Sequence, residues 1–194
     1  MNLFRSKKYS SLPDLVLACQ RQEPSAQTAF YDRYKSKLLG VCVRYAKTKA
    51  EAEDIFQEGF IKVFKSLNEV RDPGAIDSWV KSVVIRTAIN YYNRTTKEQQ
   101  LHSSLDNMQY EQESDDYGRI IDQLNVAVLL DLISQLPDGY RMIINLHLID
   151  GYTHSEIAQM LSISDGTSRS QYLRGRNLLM KKLQEKGITQ YEIS

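Results

Sequence analysis

Thr153-His154-Ser155-Glu156-Ile157-Ala158-Gln159-Met160-Leu161, then Ser162-Ile163-Ser164, then Asp165-Gly166-Thr167-Ser168-Arg169-Ser170-Gln171-Tyr172 reads as helix, three-residue turn, helix. Thr153 and Ser155 are cap candidates for the first helix, and Ile157, Ala158 and Leu161 share its inner face. The Ser164 hydroxyl caps the second helix, and Asp165 in its first turn suits the helix dipole. That second helix turns Tyr172 and Leu179 inward and shows Arg169, Ser170, Gln171, Leu173 and Arg174 to the outside, with Thr167 and Arg176 completing the candidate set. A helix of this kind fits the DNA major groove, about 12 Å wide, and offers arginine for guanine edges and Ser, Gln and an apolar side chain for others. A solvated basic hairpin is the plainer alternative. The Ile-Ala-x-x-Leu helix, the short capped turn and the basic helix together favour DNA reading.

Outward from this stretch the chain is helical almost throughout. Apolar residues recur at three- and four-residue spacing, and no alternating β-branched runs joined by Asn-Gly or Asp-Gly turns are visible. The fold class expected is all-α: two small helical domains joined by a flexible acidic linker, the second containing the helix-turn-helix. The first domain spans 12–95, with helices beginning near Leu12, running from about Ser25 to Tyr45 and Ala50 to Leu67, and from about Ser78 to Arg94. Ala29, Phe30, Tyr34, Leu38, Val41, Cys42 and Tyr45 line one stripe of the second helix, and Ala52, Ile55, Phe56, Phe60, Val63, Phe64 and Leu67 one stripe of the third. Pro73-Gly74 marks a turn within Asn68 to Asp77. Apolar periodicity fades after Arg94, and 96–119 reads as the linker, because so polar a segment buries too little to offset its ordering entropy. The second domain spans 120–186, with helices over Ile120 to Leu136, Arg141 to Leu148, Thr153 to Leu161 and Ser164 to Lys186.

A net charge of +1 in 194 residues conceals a partition. In the linker, Glu98, Asp106, Glu111, Glu113, Asp115 and Asp116 face only Lys97, whereas in the last helix Arg169, Arg174, Arg176, Lys181, Lys182 and Lys186 face only Glu185. Cys19 and Cys42 are too few and too far apart to staple a secreted fold, and neither a signal peptide nor a membrane-spanning run is visible, so the cytoplasm is the expected location without membrane insertion. His102, His147 and His154 lie at no metal-ligand spacing, and neither a phosphate loop nor a Cys/His nucleophile arrangement is present. Neither an enzyme nor a cofactor or metal site is expected.

On the third helix Asp54 and Glu58 stand one turn apart with Gln57 beside them, so all three address one partner surface; alone, such a patch is an ordinary solvated face. Its neighbours decide. Asp150-Gly151-Tyr152 through Ser170, preceded by Leu136-Pro137 and Tyr140-Arg141, resembles the promoter-reading carboxy-terminal domain of extracytoplasmic-function (ECF) sigma factors of the sigma-70 family. Ser162 stands where that family usually has a turn glycine, and Ser168 where it usually has a buried valine. Glu53-Asp54-Ile55-Phe56-Gln57-Glu58-Gly59-Phe60 is similar to the helix by which sigma factors grip the clamp of the largest polymerase subunit, and Asn68 to Arg94 resembles the minus-ten reader, with Trp79 at the place of a core tryptophan.

The resemblance implies partners: core RNA polymerase, through its clamp and flap region, promoter DNA, and an anti-sigma factor. It implies polymerase contacts at Asp54, Gln57 and Glu58, minus-ten contacts at Arg86, Asn90 and Arg94, and a base flipped from the nontemplate strand held by the loop from Asn68 to Asp77. Tyr91 and Tyr92 stay open between packing and base stacking, and the linker between a solvated tether and a thread through polymerase's cleft and exit channel. A helix-turn-helix regulator that never joins polymerase is the rival reading; it leaves the Asp54 patch unexplained.

Overall fold

The structure, a computed structural model, describes residues 9–99 and 126–187. Among these all regular elements are helical, and none is long and apolar enough to cross a membrane. The chain divides into two compact units, Met1–Tyr91 and Tyr92–Ser194.

The first unit contains α1 (Leu12–Gln20), α2 (Pro24–Tyr45), α3 (Lys49–Ser66) and most of α4 (Ile76–Gln99). The helix starts follow their caps: Ser11 accepts from the Asp14 amide and Thr48 from the Glu51 amide, each satisfying a donor that the first turn leaves orphaned. Phe30, Leu38, Ile55, Ile76 and Ile85 are wholly buried. Phe30, Phe56, Phe60 and Phe64 form an aromatic ladder with Tyr31 and Tyr34, with ring centroids between 4.6 and 5.9 Å apart.

The stripes expected on α2 and α3 are largely the buried ones. Ala29 and Phe64 are only half-buried, however, and Ala26 and Gly59 take core positions instead. At Gly59 α4 packs closely: a Cβ would stand 3.2 Å from Val84 Cγ2, tighter than an ordinary contact, so a larger residue requires Val84 to shift. Trp79 departs from expectation. Ile76 and Val80 occupy the core, while Trp79 sits one position off that stripe and stays partly exposed. Helix α4 also outlasts its apolar pattern, running through Thr95 to Gln99 over residues placed at the end of the first domain and the start of the linker. The rest of the linker and Ile120, where the next helix was expected to begin, lie outside the described residues.

The second unit contains α5 (Val126–Ser134), α6 (Asp138–Ile144), α7 (His154–Leu161) and α8 (Asp165–Glu185). After α6 the chain widens into a π-helical segment, Asn145–Ile149, which periodicity alone does not reveal. Leu132, Ile133, Ile143, Ile144, Leu146, Ile157 and Leu179 are wholly buried. The glycine Gly151 (φ 78°) makes the turn before α7, whereas Ser162 makes the left-handed turn after it at φ 56°. That serine carries the conformational cost a glycine would avoid.

Candidate functional site

Local capping fixes the two helices of the 153–172 stretch. Thr153 and Glu156 form a reciprocal capping box: the Thr153 amide donates to Glu156 Oε2 at 2.8 Å and the Glu156 amide to Thr153 Oγ1 at 3.3 Å. The Thr153 amide, and after it the Thr153 hydroxyl, which also donates to Oε2, hold the Glu156 carboxyl below its ordinary pKa. Ser155, the other cap candidate, lies inside the helix and is exposed. Ser164 caps α8, accepting from the Thr167 amide at 2.9 Å. Thr167 shares its hydroxyl with the same oxygen at 2.8 Å, so one expected DNA contact already serves the cap.

Along α8 the residues sort into three stripes. Ser168, Tyr172, Gly175, Leu179 and Leu183 form the inner one, with Tyr172 half-buried and the others buried. Thr167, Ser170, Gln171 and Arg174, with Thr167 and Arg174 each three or four residues from the middle two, make up a second, and Arg169, Leu173 and Arg176 the third. Arg169 and Ser170 are exposed, and the rest of these two stripes partly so. Arg169 is held in a particular way: its Nε donates to Asp165 Oδ1 at 2.5 Å. That bond uses the inner nitrogen, Nε, and not the terminal guanidinium nitrogens. The basic helix is shorter in effect than its composition suggests. Lys186 pairs with Asp131 at 2.9 Å, lowering that carboxyl's pKa, and Lys182 donates to Gln135, so the last two bases secure α5.

Ser168, which stands where the family usually has a buried valine, has a polar partner. It is wholly buried, and its Oγ lies 2.9 Å from His154 Nδ1. The His154 ring stacks on His147 at 4.3 Å, and Tyr172 meets both edge-on. The His147 Nδ1 is 2.8 Å from the Tyr152 carbonyl. Among the described residues no group of three or more His, Cys, Asp or Glu stands ready to hold a metal ion. Burial first, then His147 and Arg169, push the His154 pKa below its ordinary value of 6.5, with Asp165 opposing. The native domain thus binds fewer protons than the unfolded chain just below 6.5. Stability present above that value is lost as pH falls through the window down to the folded pKa. Helical circular dichroism on heating at pH 7.5 to 5 is expected to show an acid loss of melting temperature that His154→Gln flattens.

In the first unit the three residues of the acidic patch separate. Asp54 and Gln57 are exposed on α3, while Glu58 is partly covered and paired to Lys62 at 2.7 Å. Ile61, seven residues after Asp54 and so on the same face, is 55% exposed. Sequence reading missed it because a lone isoleucine beside a polar stripe is ordinary. An exposed apolar residue beside an exposed carboxylate suits a protein partner. On α4, Arg86, Asn90 and Arg94 are all exposed at four-residue intervals, and Trp79 and Val83 extend that stripe. The acidic patch on α3 and the helix-turn-helix belong to different units.

Residues 30–98 match Sigma-70 region 2 and residues 127–179 match Sigma-70, region 4, together more than half of the chain. The RNA polymerase sigma-H factor of Pseudomonas aeruginosa is 29% identical over 179 residues, covering 88% of this chain and 92% of that protein. The ECF RNA polymerase sigma-E factor of Haemophilus influenzae is 25% identical over 181 residues, covering 88% and 94%. Among solved structures, the sigma factor RpoE in complex with the anti-sigma factor NepR from Bartonella quintana matches at 17% identity over 80% of this chain and 97% of that one, with a TM-score of 0.49.

Proposed function

The chain belongs to the sigma-70 family, and from that premise we propose how its surfaces divide the work of starting transcription. Exposed Asp54 and Gln57, with Glu58 and Ile61 beside them, take hold of core RNA polymerase. Arg86, Asn90 and Arg94 face the opening duplex at the minus-ten element, and the segment from Asn68 to Asp77 receives a base turned out of the stack. Helix α8 enters the major groove of the minus-thirty-five element. Ser170, Gln171, Leu173 and Arg174 reach base edges, Arg169 is aimed by Asp165, and Thr167 and Arg176 meet the phosphates. No bond is made or broken by the protein; the work is recognition and strand capture.

The observation that carries this reading is the pairing of a capped helix-turn-helix in one unit with an exposed carboxylate and isoleucine on one helix face in the other. A regulator that only bound DNA has no use for the second. Work on polymerase and DNA places the protein in the cytoplasm, and an anti-sigma factor is proposed as its regulator, acting by covering the α3 face or α8.

Run-off transcription with core enzyme tests the whole. The wild-type chain is expected to direct initiation at defined start sites. Asp54→Lys is expected to weaken core capture in a pull-down about tenfold, or ~1.4 kcal/mol. Glu58→Lys, which also sets two ammonium groups against each other, weakens it too. Arg174→Ala leaves capture intact and costs about 1–3 kcal/mol at one upstream base pair. Equal capture by all variants removes the α3 face from the proposal.

A further inference from the structure

The segment between α3 and α4 is tied at both ends by donors from helices far away in sequence. Near the C-terminal end of α1, Gln20 Nε2 donates to the Leu67 carbonyl at 3.0 Å and to the Val70 carbonyl at 3.2 Å. One amide group thus spends both its hydrogens on the first turn of the segment, and because both partners are acceptors its orientation is dictated. At the far end the Tyr34 hydroxyl, from the buried face of α2, donates to Asp77 Oδ1 at 2.6 Å. Burial and the Asp77 carboxylate push the Tyr34 pKa up, which keeps the phenol a donor. Between these ties Asp72 Oδ1 accepts from the Gly74 amide at 2.8 Å, and Asn68, Glu69, Arg71 and Asp72 are exposed.

Loops are softer than the elements they join, and a pocket that tells one base from another must hold its groups to within about 0.5 Å. We propose that Gln20 and Tyr34 are positioning residues for reading the minus-ten element: they hold the segment from Leu67 to Asp77 in the shape that selects a flipped base, without touching DNA. This rests on the reading of that segment as the base pocket. Gln20 stands in a helix that the reading assigned no role, and Tyr34 was taken only as a core residue.

The test uses the full chain with core polymerase on a duplex promoter library randomised at both elements, with run-off products sequenced. Gln20→Met keeps the side chain's length and removes both donors. It is expected to flatten preference at one minus-ten position about fivefold or more, as loss of two modest hydrogen bonds allows, with minus-thirty-five preference unchanged. Gln20→Lys, which still donates to carbonyls, restores most of it. Tyr34→Phe acts in the same direction, and carries the test alone if Gln20→Met fails to fold by Trp79 fluorescence. Asn68→Ala separates the two levels of the argument. If it flattens preference while Gln20→Met and Tyr34→Phe do not, the clamp is overturned and the pocket stands. If none of the three alters preference, the pocket reading falls and the clamp with it. A uniform loss of activity with preference intact in the clamp variants makes the ties merely structural and also overturns the proposal.

Discussion

Gly175→Val is expected to bring the helix-turn-helix unit to the edge of unfolding while the first unit stays folded. A Cβ at this position would stand 3.1 Å from Tyr140 Cβ and 3.2 Å from Ile144 Cγ1, both on α6. Neither neighbour yields easily: a Cβ is fixed to its own backbone, and Ile144 is wholly buried in the cluster with Leu179 and Leu183. Valine adds three carbons where one already crowds. Overpacking of this kind costs about 1–3 kcal/mol, the upper end applying where the helices must separate. A single core of this size supplies only about 3–5 kcal/mol, so little stability remains. Gly175→Ala differs, since about 1 kcal/mol of helix propensity offsets the tighter contact. The molecule's one tryptophan, Trp79, lies in the first unit, so its fluorescence reports that unit alone while far-ultraviolet circular dichroism shows the helical loss. Retained core capture with lost upstream DNA binding is the matching functional result. Full helicity at 37 °C in the valine variant would show that α6 and α8 separate more freely than their packing implies.

What the residues reveal without coordinates is whatever a helix writes at three- and four-residue spacing. The all-α class, the helix-turn-helix and its serine cap follow from local pattern, and the exposed Arg169 and Ser170 emerge where that pattern puts them. The failures are failures of register or of tertiary partnership. Trp79 is large and aromatic and so suggests a core residue, yet one position along α4 decides exposure, and Ile76 and Val80 hold the inner places. Thr95 to Gln99 continue α4 although nothing apolar announces it, because Lys, Glu and Gln are good helix formers without a buried stripe. The bond from His154 to Ser168, and the ties of Gln20 and Tyr34, join residues 14 to 50 apart, and no periodicity encodes which polar side chain will find which. Composition also overstated the basic helix, since Lys182 and Lys186 are committed to α5.

Asp138→Ala is expected to cost more than removal of the charge it balances. The Arg141 side chain is only 7% exposed, and Nη2 donates to Asp138 Oδ1 at 2.9 Å, with the Ser134 carbonyl a distant 3.4 Å from Nη1. Truncating Asp138 leaves a buried guanidinium with one weak contact among the described residues, to the Ser134 carbonyl. Breaking a buried pair costs about 3–5 kcal/mol, and the partial exposure of Asp138, 24%, puts this case near 3. Arg141→Met removes the charge itself and refills the space with a flexible apolar chain, so about 1–2 kcal/mol is expected, chiefly the lost bonds. The double variant should therefore be more stable than Asp138→Ala alone, a comparison that urea unfolding of the three proteins decides. If Arg141→Met is the worse single change, attraction rather than the avoided burial of a lone charge holds the pair together. The answer bears on recognition, because Asp138 and Arg141 both stand on α6, and α6 is the platform against which Gly175 seats the reading helix. Loss of upstream DNA affinity across the three variants should then follow their stability rather than the count of charges removed.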